Sequence, residues 1–490
     1  MDFSLKQNSL SCYQKLAVLS GAVDCTAESV VPDTQEDILR ILGTAGFAAV
    51  HTKNAADGVV SVTGEVMASV LYVPESGEGA AALSVNVPFS FEQRCCAEGE
   101  VLPVASVRLM ALEARLLNPR KVLVRATVCV ETVLYASSRL LWYSPDEGGA
   151  GACLRVKTAV ASVSVVTAVT EKTFLVSDVL PLPAGKPAPA KILGTASVLR
   201  VTDSQSVGGK LIVKGMVRTV VHYLSAEGGL ECVSAETAFS QLVETGGGTD
   251  FTVTPLLTDA FVERLSAVDG SSPLSLEVHG VLQVAVREKR EIEYITDAYC
   301  VGRPLTVERA MLTAETDPAC AVTRAAARGQ FELQRPCTGV VSVNVLAGAA
   351  AAQDGTASVS LTAELLYLAD GGGLYGERFS LTAAADCDGG AVAVAGAEAV
   401  AVPAGMSVEL RAQVDFTVTT AGSVQLAVVS ALSSPDDVPP RTRPSVTVIR
   451  TGETDLWTLA KAFGADEDEI LRCNGLEERE IPQGVILLIP

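Results

Sequence analysis

One pattern of alternating residues returns three times along this 490-residue chain, and it limits the fold more than any other feature. The first copy sets Val60, Val62, Gly64, Val66, Ala68, Val70 and Tyr72 on one side, with Ser61, Thr63, Glu65 and Ser69 between them. A period of two marks a strand with one face buried. The second copy reads Leu211, Val213, Gly215, Val217, Thr219, Val221 and Tyr223, with Lys210, Lys214, Arg218 and His222 on the other face. The third, Ala357, Val359, Leu361, Ala363, Leu365 and Tyr367, keeps the tyrosine and replaces the glycine. A different alternating strand follows each copy, at Val122 to Val130, Leu274 to Val284 and Val408 to Phe416.

Two patterns recurring in the same order predict three β-rich modules. Pro181, Pro183, Pro187 and Pro189 cannot sit inside a central strand, and they are read as marking the first limit. The expected domains are therefore 1–170, 171–320 and 321–432. Each module must press two apolar faces together or close on itself, which leaves sandwich and small barrel both open. Composition agrees with a mainly β chain: aromatics are 5% and charged residues 19%, while small and branched side chains dominate.

Several function classes are disfavoured. The net charge of −20 repels nucleic acid and anionic bilayers. No apolar run reaches the roughly 18 to 20 residues of a membrane span. The leader-like stretch from Leu16 to Val23 is short and lacks a small-x-small site, so a cytoplasmic location is expected. Twelve cysteines without a CxxC pair, Cys95 and Cys96 adjacent among them, read as reduced and mostly buried thiols. Only three histidines are present: His222 and His279 fall on predicted solvent faces, and His51 lies in a turn-like stretch with no visible partner.

No Ser-His-Asp or Cys-His motif, Gly-rich phosphate loop or HExxH helix occurs, so a non-enzymatic protein without cofactor or metal is expected. Carboxylate pairs stay open, because proximity in space is invisible in a sequence. The Lys210, Lys214 and Arg218 stripe is either a solvated strand face or a contact site.

Composition changes at Ser433, where a Pro-rich, charged stretch over 433–443 reads as an extended linker. The remaining residues, 444–490, read as strand, helix, helix, strand. Val446, Val448 and Ile449 make the first strand, and Thr454 or Asp455 can cap a helix to about Phe463, closed by Gly464. Asp466 caps a second helix with Glu467, Asp468 and Glu469 in its first turn, and Asn474 and Gly475 end it. Val485 to Ile489 form the last strand, and Leu456, Trp457, Leu459, Phe463, Ile470 and Leu471 supply the core.

The runs Gly452-Glu453-Thr454, Leu456-Trp457-Thr458-Leu459-Ala460-Lys461, Asp468-Glu469-Ile470-Leu471, Asn474-Gly475-Leu476 and Ile481-Pro482-Gln483-Gly484 resemble a LysM domain. Asp455 is an extra residue relative to that family, and Glu453 replaces its usual Asp. The resemblance implies a small βααβ domain that binds N-acetylglucosamine polymers in a shallow groove. Carried over by position, the groove involves Gly452, Glu453, Thr454, Asp455, Asn474, Gly475 and Leu476. The same residues also read as a turn glycine, a helix cap and a helix stop.

The front of the chain has its own likeness. Val31-Pro32-Asp33-Thr34-Gln35-Glu36-Asp37-Ile38-Leu39-Arg40-Ile41-Leu42, the Gly64 to Tyr72 strand and Asn118-Pro119-Arg120-Lys121 resemble the repeated domain of clostridial SipL-like spore-coat proteins, which also end in a LysM domain. That resemblance implies a scaffold for endospore coat assembly in the mother cell, at the forespore surface. Its tail would engage the spore-coat morphogenetic ATPase or another coat protein. The alternative is a cell-wall or spore-cortex protein whose tail binds peptidoglycan glycan strands.

Overall fold

The computed structural model describes residues 5–95, 100–145, 153–180, 182–265, 273–316, 319–420, 422–435, 447–450, 455–479, 481 and 484–490, the side chains of Ile449 and Arg450 excepted. Each repeat lays down six strands in one order. The first comprises β1 (Lys6–Val30), β2 (Ile38–Ala56), β3 (Val59–Pro74), β4 (Ala81–Arg94), β5 (Val101–Asn118) and β6 (Lys121–Ser144). The second comprises β7 (Leu154–Leu180), β8 (Pro189–Val207), β9 (Lys210–Ser225), β10 (Leu230–Glu244), β11 (Asp250–Arg264) and β12 (Leu274–Cys300). In the third, the opening strand is split into β13 (Thr306–Glu315) and β14 (Ala319–Glu332). Then come β15 (Cys337–Gln353), β16 (Thr356–Ala369), β17 (Leu374–Asp386) and β18 (Ala391–Ala404), and the closing strand is split into β19 (Ser407–Thr420) and β20 (Ser423–Ser433).

In every module the second, third and fourth strands form one antiparallel sheet, and the first, last and fifth form another. The two strand patterns of the sequence are the middle strands of these two sheets, which is why they alternate most cleanly. In the first module Val62, Val66, Val70 and Tyr72 of β3 face Val122, Val124, Val128 and Val130 of β6 across a shared core. The two sheets of a module share no ladder among the described residues, so each module is a sandwich.

The position 170 falls inside β7, and 320 falls inside β14. Strand pairing runs instead from Lys6 to Ser144, from Leu154 to Cys300 and from Thr306 to Ser433. The prolines near 183–189 form the turn between the first two strands of the second module, and Pro32 and Pro336 stand in the corresponding turns. Proline ends a strand at any turn, inside a module as well as between modules. Pro181 lies outside the described residues.

The glycine lost from the third repeat has a packing reason. Gly64 pairs with Phe89, and a Cβ there would lie 2.7 Å from the phenylalanine ring. Gly215 pairs with Phe239, where the same distance is 2.2 Å. In the third module Val359 stands opposite Ala383. Large and small have changed places across the strand pair, so the volume is kept. The retained tyrosines, Tyr72, Tyr223 and Tyr367, are fully buried and each donates its hydroxyl: to Gln35 at 2.9 Å, to the Pro187 carbonyl at 3.0 Å and to Glu377 at 2.5 Å.

The modules close into a ring. β2 packs on β16 and β17, β8 on β3 and β4, and β15 on β10, so each module's second strand meets the middle sheet of the preceding one. The second strands share a bulge at one register, between Ile41 and Gly43, Ile192 and Gly194, and Val340 and Ser342. The extra residues, Leu42, Leu193 and Val341, meet in one apolar cluster with Leu71, Leu230, Leu366 and Leu374. A bulge re-aims one side chain out of its sheet, and here it supplies the centre of the ring. Polar contacts lock the seams. Gln283 mimics a strand by bonding both the N–H and the carbonyl of Ala105, at 2.9 and 2.7 Å. Glu364 accepts from the Thr44 N–H and hydroxyl, at 2.9 and 3.1 Å.

His222 belongs to this centre and not to the surface. It takes the place that Leu71 and Leu366 hold beside the other two tyrosines, and it is 2% exposed. Its Nε2 contacts Ser342 Oγ at 2.9 Å, and its Nδ1 has no partner among the described residues. Alternation gave the right facing relative to its own sandwich, but a neighbouring module covers that outer face. Burial pushes the imidazole down from 6.5 to about 4. Between those values the unfolded chain binds a proton that the folded chain does not, so stability falls as pH drops through that window. His222→Leu should remove of order 3 kcal/mol of this acid sensitivity. Urea unfolding at pH 7 and pH 4.5 checks it: the difference between the two pH values should shrink relative to wild type.

Candidate functional site

The tail follows in the order β21 (Thr447–Arg450), α1 (Leu456–Phe463), α2 (Glu467–Asn474) and β22 (Ile486–Ile489). Asp455 caps α1, its carboxylate accepting from the Thr458 N–H at 3.3 Å. Asp466 caps α2 more tightly, accepting from Asp468 and Glu469 at 2.9 and 3.2 Å. Both helices end on a glycine in the left-handed region, Gly464 at φ 61° and Gly475 at φ 63°, a conformation that suits glycine. Leu456, Leu459, Ile470, Leu487 and Ile489 are buried together, and Trp457, Phe463 and Leu471 are half-buried.

Of the groove residues carried over from the LysM resemblance, Gly452, Glu453 and Thr454 lie outside the described residues. The others have internal work. Asn474 donates its amide to the Ile470 and Leu488 carbonyls and accepts from the Leu488 N–H, all at 2.7 Å. That side chain stitches the end of α2 to β22 and has its donors and acceptor in use. Gly475 provides the turn, Leu476 packs on the tail core, and Asp455 caps α1 while lying 3.8 Å from Lys157. The 433–443 stretch begins as ordered structure: β20 runs to Ser433, and Ser434 donates to the Pro304 carbonyl at 2.9 Å. Residues 436–446 lie outside the described residues.

The tail sits on the far end of the β7–β12 strand pair. A bulge between Ile295 and Asp297 interrupts the β7–β12 register beside the Asp297 carboxylate. It accepts from Trp457 Nε1 at 2.9 Å, from Lys461 Nζ at 2.6 and 2.7 Å, and from Arg309 Nη2 at 2.7 Å. One carboxylate thus joins the second module, the opening strand of the third, and α1 of the tail. Burial opposes its ionisation, but the Lys461 and Trp457 donors outweigh burial and hold its pKa below the ordinary value. Arg155 of β7 makes a two-pronged contact with Asp466 at the head of α2. There too burial opposes ionisation, and the guanidinium and helix N–H groups hold the pKa low. Tyr299 completes the seat, edge-on to Trp457 with ring centroids 4.9 Å apart. Nothing in the spacing of the sequence pairs Asp297 with residues more than 150 positions on; its only local signal is a charge breaking the alternation of β12.

Outward from this seat, β21 and β22 show an apolar strip. Val448 and Leu488 are cross-strand partners, and with Ile486 all three are exposed.

Elsewhere the sequence's candidates are occupied. Lys210, Lys214 and Arg218 face Glu244 at 3.7 Å, Asp203 at 3.8 Å and Glu398 at 2.8 Å, so the stripe is neutralised and its last member helps hold the third module. His279 is exposed beside Glu277 at 2.8 Å, and His51 does have a partner, Glu65 at 3.6 Å. Among the described residues Cys25, Cys300, Cys337 and Cys387 are buried, whereas Cys320 and Cys473 are exposed, so the thiols are less uniformly internal than expected. The Ser342–His222 pair is a hydroxyl beside an imidazole, but Nδ1 has no orienting partner and the ring is uncharged at neutral pH with little basicity. No group of three or more His, Cys, Asp or Glu able to hold a metal occurs among the described residues.

Asp297→Ala should weaken docking of the tail by about 1.5 to 3 kcal/mol, the scale of hydrogen bonds to a charged group. In a Trp142→Phe background, Trp457 is the sole tryptophan of the chain, and its emission should shift to the red as it leaves Tyr299. Unchanged emission would mean that the carboxylate junction does not hold the tail. Compared with known proteins, the chain matches no family model, no curated protein and no solved structure.

Proposed function

We propose that the protein is a non-enzymatic scaffold of endospore coat assembly, working in the mother-cell cytoplasm, whose LysM-like βααβ tail anchors it to the coat morphogenetic ATPase or another coat protein. The observation that carries this reading is the way the tail is mounted. Asp297, Arg155 and Tyr299 seat one side of it on the modules, and the Val448, Ile486 and Leu488 strip is left facing outward. An exposed apolar strip on a small two-stranded sheet suits a protein partner. The commitment of the Asn474 amide to Ile470 and Leu488 removes one polar group from the positions a glycan would use, and this too favours the protein reading over peptidoglycan.

The test is a fluorescent fusion of the full chain in sporulating cells. Wild type should gather at the forespore, and Ile486→Asp combined with Leu488→Asp should leave the fusion diffuse. Both side chains point to solvent, so thermal unfolding of the purified variant should match wild type. Forespore localisation retained by the folded double variant would overturn the proposal. Saturable pelleting of the wild type with insoluble peptidoglycan, competed by N-acetylglucosamine oligomers, would favour the glycan alternative.

A further inference from the structure

We infer that the cleft between the β1–β6 and β13–β20 strand pairs binds a small organic anion with an apolar body. The three long strand pairs leave the ring side by side and share a core that includes Leu140, Val163, Val165, Ile292, Leu426 and Val428. Among the described residues their edges pair only at single positions. β1 meets β7 at Tyr13–Val166, and β13 meets it at Glu315–Ser164. β12 already occupies the other edge of β7 at these positions, so β1 and β13 share the remaining edge and part from it in different directions. A cleft of about 470 Å³ opens between them, within the size range of small-ligand sites.

Its lining is apolar along Leu140, Val165, Val166 and Leu312, and its polar groups do not balance. The one carboxylate, Glu315, is answered by the buried Arg287 at 3.5 Å. Lys15 and Arg139 also line the cleft, and neither has a carboxylate partner among the described residues, in a chain whose net charge is −20. A bulge between Lys15 and Ala17 breaks the β1–β6 register beside that lysine. At the floor, Ser164 is 7% exposed, and its hydroxyl has no partner among the described residues. Two unmatched cations and an apolar wall together fit a carboxylate or sulfonate carried on a hydrocarbon or aromatic body.

The test titrates the full-length protein with 1-anilinonaphthalene-8-sulfonate, with decanoate as competitor. Saturable fluorescence at one site per chain, displaced by decanoate and weakened by salt, is expected. Lys15→Ala and Arg139→Ala should each weaken it about tenfold, the effect of losing one charge-assisted contact. Thr313→Trp, at an exposed lining position, should block the cleft; Lys210→Ala, away from it, should change nothing. Absence of saturable binding would overturn the proposal. So would binding indifferent to the three cleft variants, or binding to anionic vesicles that decanoate does not compete.

Discussion

Three bulged residues hold this architecture together. Leu42, Leu193 and Val341 leave their own sandwiches at the same register and meet where the three modules converge. A sandwich of two three-stranded sheets has a thin core, and an isolated unit of that size would expose the edges and outer face of its second strand. Closing the ring sets those outer faces against the preceding module. The long β1–β6 and β7–β12 pairs then project past the ring and pack on one another and on β13–β20, which gives the molecule a second core above the first.

The layout explains why so much of the fold was legible and where legibility stopped. The middle strands of both sheets alternate strictly because each is flanked by two partners and faces a core; their residues could be read directly from period two. Caps and stops of the tail helices were equally readable, since Asp466, Gly464 and Gly475 act on their immediate neighbours. Module limits were not readable, because a proline-rich turn looks alike within a module and between modules. His222 shows the deeper limit. Its alternation places it correctly on the outer face of β9, and only the third module's Ser342 makes that face an interior. A sequence reports which side of a strand a residue takes, and the assembly decides whether that side is wet.

The candidate site was half legible for a similar reason. Local chemistry identified the tail helices and their ends. The seat on which the tail rests depends on Asp297, separated from its tail partners by the whole of the third module, and on Arg155, separated from Asp466 by nearly all of the second module and the third. Asn474 carries a further lesson: the same side chain that reads in the sequence as a helix stop ties α2 to β22 through its own backbone neighbours, and only its hydrogen bonds reveal this.

The pairing of each module's first strand with its last also orders events in time. Lys6 pairs with Ser144 and Leu154 with Cys300, so a nascent chain must hold its opening strand unpaired until the closing strand of that module has emerged. Such distant pairing is slow and leaves edges open to misassociation. The ring cannot close before the third module is made, and Asp297 is complete as a junction only when Arg309 has joined it. The tail, which follows the three modules along the chain, therefore docks on a surface that exists only once they have folded. A seated tail is, in effect, a signal that the three modules have come together.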